Sequence, residues 1–163
     1  MRVQLFFAAL CIFPATAFAG CASNMTTLVS CTAGNGDKAL DVCSDGTHVL
    51  YRFGTSGQTP NLELIRSILD VDVTPWSGVG SSIWESVTLH NGAFSYEAFS
   101  SVARNPEAPA ISGGVDVFED GSPVASVQCD AGSVQTNIDA LFEMREAAGL
   151  CYDHSTFAWG ACK

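Results

Sequence analysis

Basic residues are scarce. Seven Lys and Arg stand against 17 Asp and Glu, a formal net charge of −10. Phosphate binding needs a basic face, so this balance excludes nucleic acid as a partner. A basic protein partner or a divalent cation is electrostatically allowed, and acidity that simply keeps an exported protein in solution explains the balance at least as well. There is no Cys-x-x-Cys, which argues against a thioredoxin-like redox pair and a zinc knuckle. There is no Gly-x-Ser-x-Gly elbow, no His-Glu-x-x-His and no P-loop. His48, His90 and His154 stand apart without metal-ligand spacing and read as surface histidines. Asp70-Val71-Asp72 and Glu119-Asp120-Gly121 are too short for a calcium loop. These absences imply no cofactor and no metal, and they point away from an enzyme. The longest apolar run, Leu5 to Phe13, is too short to cross a bilayer, so no membrane span is expected.

That run is better placed in a leader. Arg2 supplies a basic start, Leu5 to Phe13 an apolar stretch, and Ala17-Phe18-Ala19 a small-x-small cleavage site. Residues 1–19 therefore read as a signal peptide and residues 20–163 as a single domain. Loss of Arg2 takes the net charge to −11. The expected location is periplasmic or secreted. Phe18-Ala19-Gly20-Cys21 also resembles a bacterial lipobox, which would anchor the protein through a lipid on Cys21. Phe stands where such motifs carry Leu, and lipidation of Cys21 would leave an odd number of thiols.

Of seven cysteines, Cys11 leaves with the leader. Cys21, Cys31, Cys43, Cys129, Cys151 and Cys162 remain, an even set suited to an oxidising compartment. If the turn after Ala33 centres near Asp37, Cys31 and Cys43 fall opposite each other, within bridging distance. Cys151 pairs with Cys162 across the tail, or is tied back through Cys129. Elimination then leaves Cys21–Cys129, one choice among fifteen connectivities.

What the chain has in abundance is two-residue alternation. Ile83–Val102 forms two alternating runs around Asn91-Gly92, a strong hairpin signal. A turn on those two residues sets Leu89 against Phe94, Val87 against Tyr96 and Glu85 against Ala98. Ile83, Val87, Leu89, Phe94, Tyr96 and Ala98 then share an inner face, and Ser86, Thr88, His90, Ser95 and Glu97 an outer one. Thr26–Cys43 reads as a hairpin with Gly34-Asn35-Gly36-Asp37 at its tip. Thr47–Phe53 and Asn61–Leu69 read as strands. Val115–Cys129 turns at Asp120-Gly121-Ser122, a three-residue loop that sets Val115 against Val127 and Val117 against Ala125. Asp70–Ser82, pinned by Trp76, and Arg104–Gly114, with Pro106 and Pro109, read as loops. One helix is expected, capped by Ser133 and stopped by Gly149. Its stripe is Val134, Ile138, Leu141, Phe142 and Ala148, with Asp139, Glu143 and Glu146 outward. The expected fold is mainly β: an antiparallel barrel or sandwich of about eight strands with one C-terminal α-helix.

Two features break the pattern of the Ile83–Val102 hairpin. Glu85 lies on the apolar face, where a carboxylate needs a partner; Arg52, Arg104 and Arg145 are the candidates. Arg145 interrupts the helix stripe, which allows an ion pair from helix to sheet; the favoured reading is a solvated Glu85 at a fraying strand end. A buried Glu85 would also be a candidate acid or base, working with Arg52 or a histidine. Trp84 and Phe99 pair on the polar face and offer an aromatic patch to a partner. The candidate binding residues are thus Trp76, Trp84, Phe99, Glu85 and Arg52. Asn24-Met25-Thr26 is a glycosylation sequon, relevant in a eukaryotic host.

Five phrases, KALDVCSDGTHVLYRFG, PNLEL, WESVTLHNGAFSY, SGGVDVFEDG and SVQCD, resemble a group of small exported β-rich proteins of proteobacteria. The likeness spans most of residues 31–130, and no activity comes with it. In compartment and size the chain is also similar to the periplasmic lysozyme inhibitors. Their inhibitory Ser-Gly…Tyr and Lys-Gly motifs are missing here; Ser112-Gly113-Gly114 lacks the following Tyr. The function expected is a non-enzymatic binding or inhibitor-type protein. The alternatives are a hydrolase built around Glu85 and an envelope structural protein held by a lipid on Cys21.

Overall fold

A computed structural model describes residues 20–104, 107 and 110–163. The expected leader and the prolines at 106 and 109 lie outside these residues. Among the described residues the chain forms β1 (Thr26–Ala33), β2 (Lys38–Ser44), β3 (His48–Thr55) and β4 (Leu62–Ser67). Next come β5 (Asp72–Thr74), β6 (Ser82–Asn91), β7 (Phe94–Ala103), β8 (Ile111–Glu119), β9 (Ser122–Gln128) and β10 (Gln135–Thr136). The chain ends in α1 (Ala140–Ala147), β11 (Leu150–Asp153) and β12 (Ala158–Ala161). It is mainly β and antiparallel with one C-terminal helix, as expected, but with more strands.

Two five-stranded meanders carry the fold, in the orders β10-β1-β2-β3-β4 and β5-β6-β7-β8-β9. Both stay open, so of the two expected architectures the layout is that of a sandwich. Val29, Val42, Val49 and Tyr51 of the first sheet meet Val87, Leu89, Ala98 and Val115 of the second in one core. The Tyr51 and Tyr96 rings touch across it, centroids 5.5 Å apart.

The central hairpin pairs Asn91 with Phe94, so its two-residue turn is Gly92-Ala93 rather than Asn91-Gly92. Gly92 adopts φ +63° at the first turn position, where glycine meets no steric barrier. The expected partners move accordingly: Leu89 faces Tyr96, Val87 faces Ala98, and Glu85 faces Ser100. Moving a turn by one residue moves each partner by two. An even step leaves every side chain on its expected face, and Val87, Leu89 and Ala98 are fully buried. Two assignments to faces need correction. Ser86 is also fully buried on the outer face, where its hydroxyl donates to Glu97 at 2.8 Å. Ile83, at the far end of the inner face, is exposed.

The last hairpin shows the expected register, Val115 with Val127 and Val117 with Ala125. It gets there differently: a two-residue turn at Asp120-Gly121, both with positive φ, followed by a register shift beyond Val117. The β-bulge supplies the extra residue that a longer loop would have supplied. Ile111–Gly114, expected in a loop, is already part of β8, and Asp72–Thr74 is a short strand. Ile83, Val124 and Ile111 are among the exposed apolar residues of this second sheet.

Three disulfides are formed, Cys21–Cys43, Cys31–Cys129 and Cys151–Cys162. The third is the expected one. The expected Cys31–Cys43 pair fails because the first turn is centred earlier: Ala33 faces Lys38, so Cys31 faces Leu40. Cys43 then lies three residues further along β2, an odd offset that turns it to the opposite face. Cys31 reaches Cys129 instead, and Cys43 takes Cys21, so the expected Cys21–Cys129 pair is replaced as well. Three disulfides indicate an oxidising, extracytoplasmic compartment, and no helix among the described residues is long and apolar enough to cross a membrane.

The helix is shorter than its sequence pattern. Residues 135–136 pair with β1 as β10, and Ser133 bonds to Thr32 and Asp130 instead of capping. Ile138 and Leu141 are buried, and Gly149, at φ +87°, follows the helix end.

Candidate functional site

Glu85 sits on the inner face of β6, toward the strand start, where α1 covers the sheet. Asp139 is the residue that opens α1. It makes no side-chain capping bond; its carboxylate hydrogen-bonds Glu85 instead. Burial first, and then the hydrogen bond and charge of Asp139, push Glu85 up to about 7. Glu85 thus holds its proton to a higher pH than an ordinary glutamate and is part-protonated at neutrality.

This pair opens into a groove of about 490 Å³, walled by Trp76 and Phe142 and bordered by Glu143 and His154. Glu143 follows Asp139 by four residues, which puts both on one side of the helix. Trp76 comes from the connection between β5 and β6. Its indole N–H donates to the Val79 carbonyl at 2.8 Å, and the Arg104 guanidinium lies over its ring at 4.9 Å. Arg104 in turn donates to the Gly80 carbonyl at 3.0 Å. The loop that Trp76 pins is therefore a braced wall. His154 comes from the β11–β12 hairpin, closed by Cys151–Cys162, and packs edge-on against Tyr152 at 5.0 Å.

Arg145 does not pair with Glu85. It is 4% exposed and donates to the carbonyls of Ile68 at 3.0 Å and Val71 at 2.6 Å. Its guanidinium stacks on Trp159 at 4.4 Å, whose own N–H donates to the Val73 carbonyl at 2.7 Å. Arg145 and Trp159 thereby lock helix and tail hairpin to the β4–β5 connection. Burial lowers the Arg145 pKa, and the Asp72 charge raises it in part.

The sequence-derived site residues fall in three places. Trp76 and Glu85 share the groove. Trp84 and Phe99 stack on the opposite face of the second sheet, centroids 6.4 Å apart and planes at 25°. They are diagonal neighbours, since Trp84 faces Ser101 and Phe99 faces Ser86. Phe99 is 8% exposed and lies over Gly114, where an added Cβ would come within 3.3 Å of the ring and 2.3 Å of the Val127 carbonyl. Arg52 belongs to the other sheet, donating to the Gly20 carbonyl at 3.0 Å. Of the remaining histidines, His90 pairs with Asp72 at 2.6 Å and His48 with Asp45 at 3.6 Å, both in exposed positions.

Asp139, Phe142, Glu143 and His154 complete the groove; the sequence pattern places them on the helix and the tail without marking them as a site. The Asp139/Glu143 spacing was visible, but an acidic helix face ordinarily meets water. Among the described residues no group of His, Cys, Asp or Glu is arranged to hold a metal ion, and no Lys or Arg lines the groove. What the arrangement offers is negative charge between aromatic walls, which suits a cationic group. No protein-family model, curated protein or solved structure matches the chain.

Proposed function

We propose that this is a non-enzymatic binding protein, exported to the periplasm or beyond, whose groove between β6 and α1 receives a basic side chain of a partner protein. The observation that carries the reading is the convergence of Glu85, Asp139 and Glu143 between Trp76 and Phe142, with no Lys or Arg among the described residues that line it. The chain's overall acidity adds long-range attraction for a basic partner. The Cys21–Cys43 bond supports a free product over a lipid-anchored one, because a sulfur so bonded has no valence left for a lipid.

Calorimetric titration with arginine-rich and lysine-rich peptides tests the proposal, with lysozyme as a basic secreted protein for comparison. Saturable binding weakened about tenfold by Trp76→Ala or Glu143→Gln supports it, the size expected when a cation–π contact or a charge partner is lost. Equal binding by the variants, or none at micromolar concentration, rejects it.

One observation favours a second reading. Glu85 keeps its proton near neutrality in an open groove, which is the state a general acid requires. In that reading the protein is a hydrolase and Glu85 protonates the leaving group. Loss of a measured hydrolytic activity in Glu85→Gln, with binding retained, would select this reading over the first.

A further inference from the structure

One row of paired residues crosses the first sheet from edge to edge: Gln135, Ser30, Asp41, Arg52 and Glu63. Its charged members are two carboxylates and one guanidinium. Asp41 and Arg52 are nevertheless buried, 7% and 6% exposed, because the chain at residues 20–21 lies across them. Cys21 is bonded to Cys43, and Arg52 donates to the Gly20 carbonyl at 3.0 Å. Burial raises the Asp41 pKa, and the Arg52 charge and a hydrogen bond from the Gly20 backbone N–H to the Asp41 carboxylate offset part of that rise. The small-x-small motif at Ala17–Ala19 places the leader cut at this same nitrogen.

We infer that cleavage of the Ala19–Gly20 bond converts a backbone amide into a structural ion pair, the new Gly20 ammonium seating on Asp41 beside Arg52. The inference rests on the reading of residues 1–19 as a signal peptide. In the cleavage step a leader peptidase adds water across the peptide bond. The C–N bond breaks, the water oxygen stays on Ala19 as a carboxylate, and the Gly20 nitrogen leaves as an amine. That amine takes up a proton at neutral pH, since α-amino groups titrate near 7.7–8.0. The nitrogen need not move, because it already faces Asp41. The ammonium keeps the existing hydrogen bond, adds two donors, and supplies the positive charge by which the row falls short. The charged groups facing it are Asp41 from β2 and Arg52 from β3, with the exposed Glu63 of β4 beyond. The residues from β1 and the β10 segment that border this spot, Thr27, Ser30, Thr32, Ser133 and Gln135, carry no charge.

The test begins with the mass of the exported protein, expected to start at an unmodified Gly20. The mature protein is then compared with a form acetylated on Gly20, by urea unfolding between pH 6 and 10 with disulfides intact. The same comparison is repeated in an Asp41→Asn background. A paired ammonium has a raised pKa in the folded state. Its stabilisation is therefore complete below about pH 7.7 and lost as pH rises through the folded value. The free amine should hold a folding constant about fivefold above the acetylated form at pH 6 to 7. The gap should close by pH 10 and be absent in the Asp41→Asn background. A different start, or a lipid on Cys21, overturns the leader reading and this inference with it. A Gly20 start with equal stabilities, or a gap that survives Asp41→Asn, overturns the ion pair alone. Should Asp41→Asn fail to fold, the Gly20 amine is titrated by NMR in the native protein. A pKa above the ordinary α-amino range supports the pair, and one within or below it does not.

Discussion

Asp139 stands at the N-cap of α1, yet its side chain serves Glu85 on β6 rather than the helix. Helix capping by Asp is worth about 1 kcal/mol, and that stabilisation is forgone here. In its place the Asp139 side chain hydrogen-bonds Glu85 at the floor of an open groove. A fold under no other constraint would cap the helix and put an apolar residue at position 85.

Glu85 should make the protein less stable as pH rises. Its folded pKa, about 7, is above its ordinary 4.5. Its favourable contribution is therefore complete below about pH 4.5 and lost as pH climbs through 7. Glu85→Gln removes that dependence. With allowance for solvent screening of a half-buried group, the variant should be more stable than the native protein by about 1 kcal/mol at pH 8. Urea midpoints at pH 5 and pH 8 measure this, and a difference independent of pH would refute it.

Cation binding should release a proton. An arriving ammonium or guanidinium favours the ionised pair, so it lowers the Glu85 pKa from about 7. Affinity for a basic peptide should accordingly rise from pH 6 to pH 8. Calorimetry at pH 7 in buffers of different ionisation enthalpy should register proton release, and Glu85→Gln should abolish it. Attraction due only to overall charge predicts no such release.

Arg145 donates to two backbone carbonyls, of Ile68 and Val71, that lie just outside β4 and β5. Arg145→Met would keep much of the stem's packing and leave both acceptors buried and unpaired. The expected loss is about 3 kcal/mol, read from chemical denaturation. Near-UV circular dichroism should change along with it, because Trp159 loses the cation over its ring.

The disulfides should be unequal in strength. Cys31–Cys129 closes 98 residues, and Cys151–Cys162 only 11. By loop entropy alone, removal costs about 4.7 kcal/mol for the longer loop and about 3 kcal/mol for the shorter. Replacing Cys31 and Cys129 with serine should lower the urea midpoint more than replacing Cys151 and Cys162. The tail variant should remain folded but lose groove binding, since its hairpin carries His154.

Residue order by itself determined the strands, because a half-buried strand must alternate and Val87, Leu89, Val115 and Val117 do so at period two. It determined the faces too, which survived a misplaced turn since the error was an even step. Tertiary structure alone decided the other two disulfides besides Cys151–Cys162: a turn displaced so that the partner of Cys31 shifts by three residues, an odd step, reverses which face a cysteine joins, and Cys129 reaches Cys31 only once two sheets have packed. It also decided the groove. Nothing local distinguishes Asp139 and Glu143 from any acidic helix surface until β6 brings Glu85 beneath them. A carboxyl group's pKa depends on what is packed around it, and that neighbourhood is assembled from segments more than 50 residues apart in sequence.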